Sequence, residues 1–354
     1  MAETLLIGGA GAATLGLAGV PAGWLSGAIV AVSIAALAGR PVRLPDPLAR
    51  VTFVIMGISL GAAVTPETVA GMAIWPLSLA VLGVGMVALT ASVAFYLSYV
   101  HGWDRASALF GSFPGALATT LVLAIENGAD VRAVAVVQTV RVAALAVLLP
   151  AGLTAFGFAG TPFTGAGAGA AIEPGPLALL VGVSTAAALA AHWLRFPGGL
   201  MFGAMLASAL LHGTGWVHVT LPPWLSTGAF VVLGSLTGTR FANTDVRLLR
   251  HLAGAALGAL MVASVVAFGF AFLSSWLLQL NTGATVIAYA PGALDAMMIL
   301  ALALHLDPAF IGAHHVARFT LVLLSMPLLV RIVRGGRKAE ASAATKVDVD
   351  QSRD

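Results

Sequence analysis

The chain has no cysteine and only two lysines, Lys338 and Lys346, in 354 residues. Without thiols there is no disulfide framework, thiolate nucleophile, zinc finger or iron–sulfur centre. Charge of either sign is scarce, with 17 basic and 14 acidic residues making up 9% of the chain. Ten of these lie in the last 24 residues, Arg331 to Asp354, which leaves 21 for the preceding 330. A soluble domain carries roughly 25% charged residues on its surface. This composition excludes a cytosolic enzyme, a disordered chain and a collagen-like one. Hydrophobic residues reach 59%, and the expected class is an all-α polytopic membrane protein embedded in a lipid bilayer.

Other signatures are missing as well. No G-x-x-x-x-G-K-[ST] sequence is present to drive transport with ATP. The eight histidines include no H-E-x-x-H, so no metal, cofactor or catalytic residue is expected and the chain does not read as an enzyme. The stretches outside the apolar runs are too short for a helix-turn-helix, which argues against direct nucleic-acid binding. Met1-Ala2-Glu3-Thr4 lacks a basic start, so the first apolar run reads as a retained helix and not a signal peptide.

What is present is length. A crossing helix needs about 20 apolar residues. Breaks at Gly, Pro and charge place helices near 4–19, 22–39, 48–64, 72–100, 104–126 and 131–157. A second set falls near 176–194, 198–214, 224–239, 252–278, 284–304 and 308–331. The two sets are copies. Phe113-Pro114-Gly115-Ala116-Leu117 matches Ala290-Pro291-Gly292-Ala293-Leu294 at an offset of 177, which also pairs Gly57 with Gly234, Asp130 with Asp307 and Arg141 with Arg318. Pro21-x-Gly23-x-x-x-Gly27 matches Pro197-x-Gly199-x-x-x-Gly203 at an offset of 176, with glycines spaced for close helix packing. The expected organisation is a repeat over 1–158, a Gly/Ala/Pro-rich linker over 159–175, a second repeat over 176–338 and a disordered cytoplasmic tail over 339–354.

Charge indicates how the repeats sit. The loop after the second helix is basic (Arg40, Arg43, Arg50) and the next carries only Glu67, whereas in the second half His212–Pro223 has no Arg or Lys and the next loop has Arg240, Arg247 and Arg250. Basic loops stay cytoplasmic, so the repeats are expected to be inverted, in a cell inner membrane with the C-terminus cytoplasmic. Inversion needs an odd number of crossings per repeat. That gives about ten crossings plus two broken or re-entrant helices at the Pro-Gly segments, the alternative being twelve spans in parallel repeats.

Pro114 and Pro291 lack the N–H that would bond the carbonyls of Phe110 and Ile287, and Gly115 and Gly292 loosen the chain further. A broken helix at membrane depth must line a wet cavity or be buried in protein, and its free N–H groups attract anions. Arg141 and Arg318 each lie ten residues into a helix, about 15 Å along it. A guanidinium at that depth must find a partner. Gln138 and the pair His314/His315 share these arginine faces. Two readings stay open: a fork for an anionic solute, or a clamp on carbonyls or carboxylates. Asp295, whose counterpart is Ala118, is a candidate for cation or proton coupling with His314 and His315, or a partner for Arg318. Thr119 is a candidate ligand hydroxyl. Asp130 and Asp307 read as helix N-caps.

The run Pro114-Gly115-Ala116-Leu117, Gly128-Ala129-Asp130-Val131-Arg132 and Gln138-x-x-Arg141 resembles the bacterial AbrB-type integral membrane family, over roughly residues 4–335. Members carry the labels regulator of gene expression and ammonia monooxygenase, and the resemblance implies those labels. A small soluble DNA-binding regulator of the same name is not similar to this chain. The residues themselves favour a secondary transporter of a small anionic solute. The other readings are a membrane-embedded regulator acting through a partner protein and a copper monooxygenase. A second copy of the chain is a candidate partner.

Overall fold

The computed structural model describes residues 1–64, 72–115, 117–160, 173–242 and 244–351, with side chains as far as Val333 apart from Ala118. Glu67 and most of the linker lie outside the described residues. The described residues form fourteen α-helices and no strand. The first repeat contains α1 (Ala2–Leu17), α2 (Gly23–Leu37), α3 (Asp46–Gly61), α4 (Trp75–His101), α5 (Arg105–Ser112), α6 (Leu117–Glu126) and α7 (Val131–Ala155). The second contains α8 (Pro174–Trp193), α9 (Gly199–Gly213), α10 (Pro223–Gly238), α11 (Val246–Leu278), α12 (Thr282–Tyr289), α13 (Leu294–Ala303) and α14 (Pro308–Gln351). The bounds of α3, α5 and α6 recur in α10, α12 and α13 at the 177-residue offset, residue for residue. The backbone of α14 continues past 339, where a tail was expected to begin, and the tail's side chains lie outside the described residues.

Helices α4, α7, α8, α11 and α14 (as far as Val333) are long and apolar enough to cross a bilayer. Helices α1, α2, α3, α9 and α10 have 15 or 16 residues, about 24 Å at 1.5 Å per residue. Local chemistry fixes the helix starts. Asp104, Asp130 and Asp307 each accept two backbone N–H groups at the start of α5, α7 and α14, satisfying donors that lack intrahelical partners.

The repeats are inverted, because equivalent helices run in opposite directions. Along α4 and α11, Ser78 lies against Ser274, Gly85 against Phe270, and Tyr96 against Gly254 and Gly258. Ascending numbers on one helix meet descending numbers on the other. The Ser59 hydroxyl near the end of α3 lies 3.0 Å from that of Ser226 near the start of α10. Packing is exchanged between repeats: α3 lies on α8 and α9, while α10 lies on α1 and α2. Glycine permits it. A Cβ at Gly57 would collide with the Met201 carbonyl, and one at Gly234 with that of Leu25. Gly27 and Gly203 hold α2 on α1 and α9 on α8 in the same manner.

The Pro-Gly segments are re-entrant hairpins. The N–H of Asp130, which caps α7, donates to Ser107 in the first turn of α5. Helix α5 therefore enters from the face where α7 begins, and α6 returns to that face. In the second repeat, Leu306 ahead of α14 lies beside Gly283 in the first turn of α12. Among the described residues each repeat is left with five helices outside its hairpin, the odd number that inversion requires.

Candidate functional site

Breaking a helix frees carbonyls, and the broken ends of α5 and α12 are capped by symmetry-related side chains. Proline 114 leaves the Phe110 carbonyl without its helical donor, and Gln138 Nε2 supplies one at 2.8 Å. Proline 291 does the same to Ile287, and His315 Nε2 donates to that carbonyl at 3.0 Å. Arg141 donates to the carbonyls of Ser112 (3.4 Å) and Phe113 (2.9 Å). Arg318 donates to Ala290 and to Gly292 (2.7 Å), and also to His315 Nδ1 at 2.6 Å. The carbonyl clamp, one of the two readings open from sequence, is thus realised twice. Cations at helix C-termini also suit the helix dipole.

The clamp does not exhaust the arginines. Arg141 and Arg318 are 2% and 3% exposed, and among the described residues neither meets a carboxylate; the ion pairs are Arg40–Glu3 and Arg240–Asp295. Arg141 Nε has no hydrogen-bond partner among the described residues. Both guanidiniums line one cavity of about 200 Å³. They reach it from opposite faces, each about 15 Å along its helix, and a core of about 30 Å then places the cavity near the midplane.

Equivalent faces form its walls: Gln138, Arg141 and Val142 of α7 oppose His315, Arg318 and Phe319 of α14. Gly115 and Gly292 line it at the two breaks, beside Leu117 and Leu294, the first residues of α6 and α13. Gly115 has φ +112°, a conformation that only glycine adopts readily. Pro114 and Pro291 share a smaller void of about 10 Å³. Carbonyl ends of the broken helices are therefore capped by cations, while the N-terminal ends of α6 and α13 open on the cavity.

The structure redistributes several expected residues. Thr119 is exposed and is not brought to the cavity, whereas Thr139 lines it. The hydroxyl that turns inward is that of Thr120, which donates to the Gly115 carbonyl at 3.5 Å. Asp295 does not pair with Arg318; its Oδ2 accepts from Arg240 at 3.4 Å. His314 points away from the cavity, where its Nδ1 donates to the Phe310 carbonyl and its Nε2 accepts from Ser78, both at 2.8 Å. Tyr289 and Ser274 complete that buried polar cluster. The symmetry-related positions, Leu97 and Val137 of the first repeat and Ala255 of the second, sit in an apolar cluster.

His315 does face the cavity, but with both nitrogens engaged. The Ile287 carbonyl can only accept, so Nε2 carries the proton, and Nδ1 accepts from Arg318. A proton added at Nδ1 would oppose an Arg318 N–H. His315 therefore caps the Ile287 carbonyl and accepts from Arg318 with its two ring nitrogens.

Arg240 is the residue that sequence reasoning missed. Its place in the chain groups it with Arg247 and Arg250 as a loop charge, yet it lines the cavity just beyond the end of α10. Its counterpart is Ala63. The departure from symmetry that singled out Asp295 opposite Ala118 applies equally to Arg240.

A model of the family described as "Transition state regulatory protein AbrB" matches residues 24–334. The chain belongs to the AbrB family. The protein named "Putative regulator AbrB" of Escherichia coli (strain K12) is 28% identical over 327 residues, covering 89% of this chain and 90% of that one. "Uncharacterized protein YhjN" of Bacillus subtilis (strain 168) is 25% identical over 360 residues, covering 93% and 92%. No solved structure matches the chain. The AbrB-family match takes in both hairpins and both arginines, so the clamp and cavity lie within the part of the chain that defines the family.

Proposed function

We propose that this AbrB-family protein is a secondary transporter that carries a small anionic solute through the central cavity. One observation supports this above the rest. Two buried guanidiniums, without a carboxylate partner among the described residues, face a single cavity at the meeting point of two re-entrant hairpins. Buried charge without compensation is costly, and an anion supplies the compensation. Arg141 Nε and the N-terminal ends of α6 and α13 are the available donors. Inverted repeats with broken helices at the midplane form the architecture in which such solutes cross by alternating access.

Orientation follows from charge. Given the helix directions, among the described residues every Arg outside α7 and α14 lies toward one face, and basic loops remain in the cytoplasm. The protein is then an inner-membrane protein with its C-terminus inside. Coupling to a proton or cation is assigned to the buried His314 cluster: Ser78 Oγ donates to His314 in the neutral state and can turn to accept from it when charged.

The test is counterflow in liposomes holding purified protein, with sulfate, phosphate, succinate and acetate as probes. Flux of at least one is expected, and Arg141→Ala and Arg318→Ala should abolish it. No flux of any probe, or flux unchanged in both variants, would overturn the reading.

The name of the E. coli relative favours a second reading, a membrane-embedded regulator of gene expression acting through a partner. Truncation after Lys338 separates the two. A regulatory phenotype lost while anion flux persists supports the partner reading.

A further inference from the structure

The ion pair between Arg240 and Asp295 is the point where the site departs from its own two-fold symmetry. Both partners have alanine counterparts, Ala63 and Ala118. The first repeat therefore has nothing equivalent, and the pair is not part of the clamp that holds the hairpins. Its two halves also face different spaces. Arg240 lines the central cavity, whereas Asp295 lines a neighbouring cavity of about 430 Å³ that also contains Arg50 and His192. Leu294 and Phe319 belong to both walls. The pair bridges the partition between the two spaces, beside Leu294 at the tip of the second hairpin.

Geometry makes this pair exchangeable. The N–O distance is 3.4 Å, a single contact and not a two-pronged fork, with side chains 30% and 20% exposed. A partly wet, single-contact pair is weak, whereas bidentate capture of an anion by a guanidinium is stronger and directional. Asp295 also lies in the first turn of α13, where a helix start stabilises a carboxylate that has lost its partner.

We infer that Asp295 is a tethered competitor for the solute: it holds Arg240 while the cavity is empty and yields it when an anion with two negative charges enters. The inference rests on the anion reading above and adds the substrate class. Arg141 and Arg318 bring two uncompensated positive charges to the cavity and Arg240 with Asp295 brings none, so a dianion balances the site. Arg240 becomes a third ligand, and the released Asp295 turns toward Arg50 and His192. This specialises the second repeat alone, and with it the face on which Arg240 lies.

The experiment is a titration of purified full-length protein with sulfate and succinate as dianions and chloride and acetate as monoanions, read as ligand-induced thermal stabilisation. Wild type should bind the dianions at least tenfold more tightly than the monoanions. Asp295→Asn frees Arg240 and should tighten sulfate binding severalfold, Asp295→Glu should restore wild-type affinity, and Arg240→Gln should weaken it about tenfold. On the Arg240→Gln background, Asp295→Asn should have no further effect. The melting temperature without anion reports folding of each variant separately. Binding of no anion at all would remove the anion reading itself. Dianion binding that Asp295→Asn leaves unchanged or weakens, in a folded variant, would overturn the competitor role alone, and equal binding of monoanions would overturn the substrate class.

Discussion

Gln138 and His315 stand at equivalent positions and perform one task with different chemistry. Each returns a donor to the carbonyl that a proline deprived of its helical bond, Phe110 in one hairpin and Ile287 in the other. A buried carbonyl left without a donor costs about 1–3 kcal/mol. His315→Ala removes one of two donors to the Ile287 carbonyl, which also accepts from the Ala290 N–H at 3.2 Å, together with the Nδ1 acceptor for Arg318, and should destabilise the protein by about 1 kcal/mol in thermal unfolding. His315→Gln should be tolerated, since a glutamine already does this work in the first repeat and its oxygen can accept from Arg318. Failure of the glutamine variant to fold would show that the imidazole is needed for something besides the cap. Both arginines, Gln138 and His315 could be picked out from the sequence because each interrupts an apolar pattern. Their partners could not: a backbone carbonyl acceptor leaves no mark in a sequence.

At the scale of the element, the hairpin break depends on conformation more than on contact. Gly115 sits at φ +112° with open space where a Cβ would go, whereas Gly292 has an ordinary φ but a Cβ there would press on Met297. The two breaks should thus respond differently. Gly115→Ala forces an L-residue into a disfavoured backbone region, costing about 1–3 kcal/mol, and should shift the orientation of α6 and weaken sulfate binding together. At Gly292, alanine meets the end of a flexible methionine, so Gly292→Ala should cost less, and combining it with a shortened Met297 should recover the loss. Unfolding midpoints and sulfate titrations of the variants measure both effects. The Pro-Gly repeat made the breaks legible in advance. The hairpin return was not, because it depends on where α5 begins relative to α7, a contact between residues 23 positions apart.

For the whole molecule, inversion and charge combine into one test. The chain has no cysteine, so single cysteines report sidedness without background. Cysteines replacing Arg105, Arg195 and Arg250 should react with an impermeant thiol reagent from the cytoplasmic face. Those replacing Glu173 and Asp307 should react from the opposite face, and labelling of all five from one side would refute the inverted topology. Composition, periodicity and the 177-residue repeat by themselves determined that this is a membrane protein of two copies, where its helices break and which arginines lie deep. These follow from burial and hydrogen-bond satisfaction in lipid, constraints that act along the chain. Loop charge already favoured inversion; the tertiary structure decided between it and parallel repeats, and it alone decided that both arginines reach one cavity from opposite faces and that Asp295 pairs with Arg240 and not Arg318. Those outcomes are set by which surfaces meet when α3 crosses to the other repeat and α4 packs on α11, and glycine contacts between distant segments govern that choice.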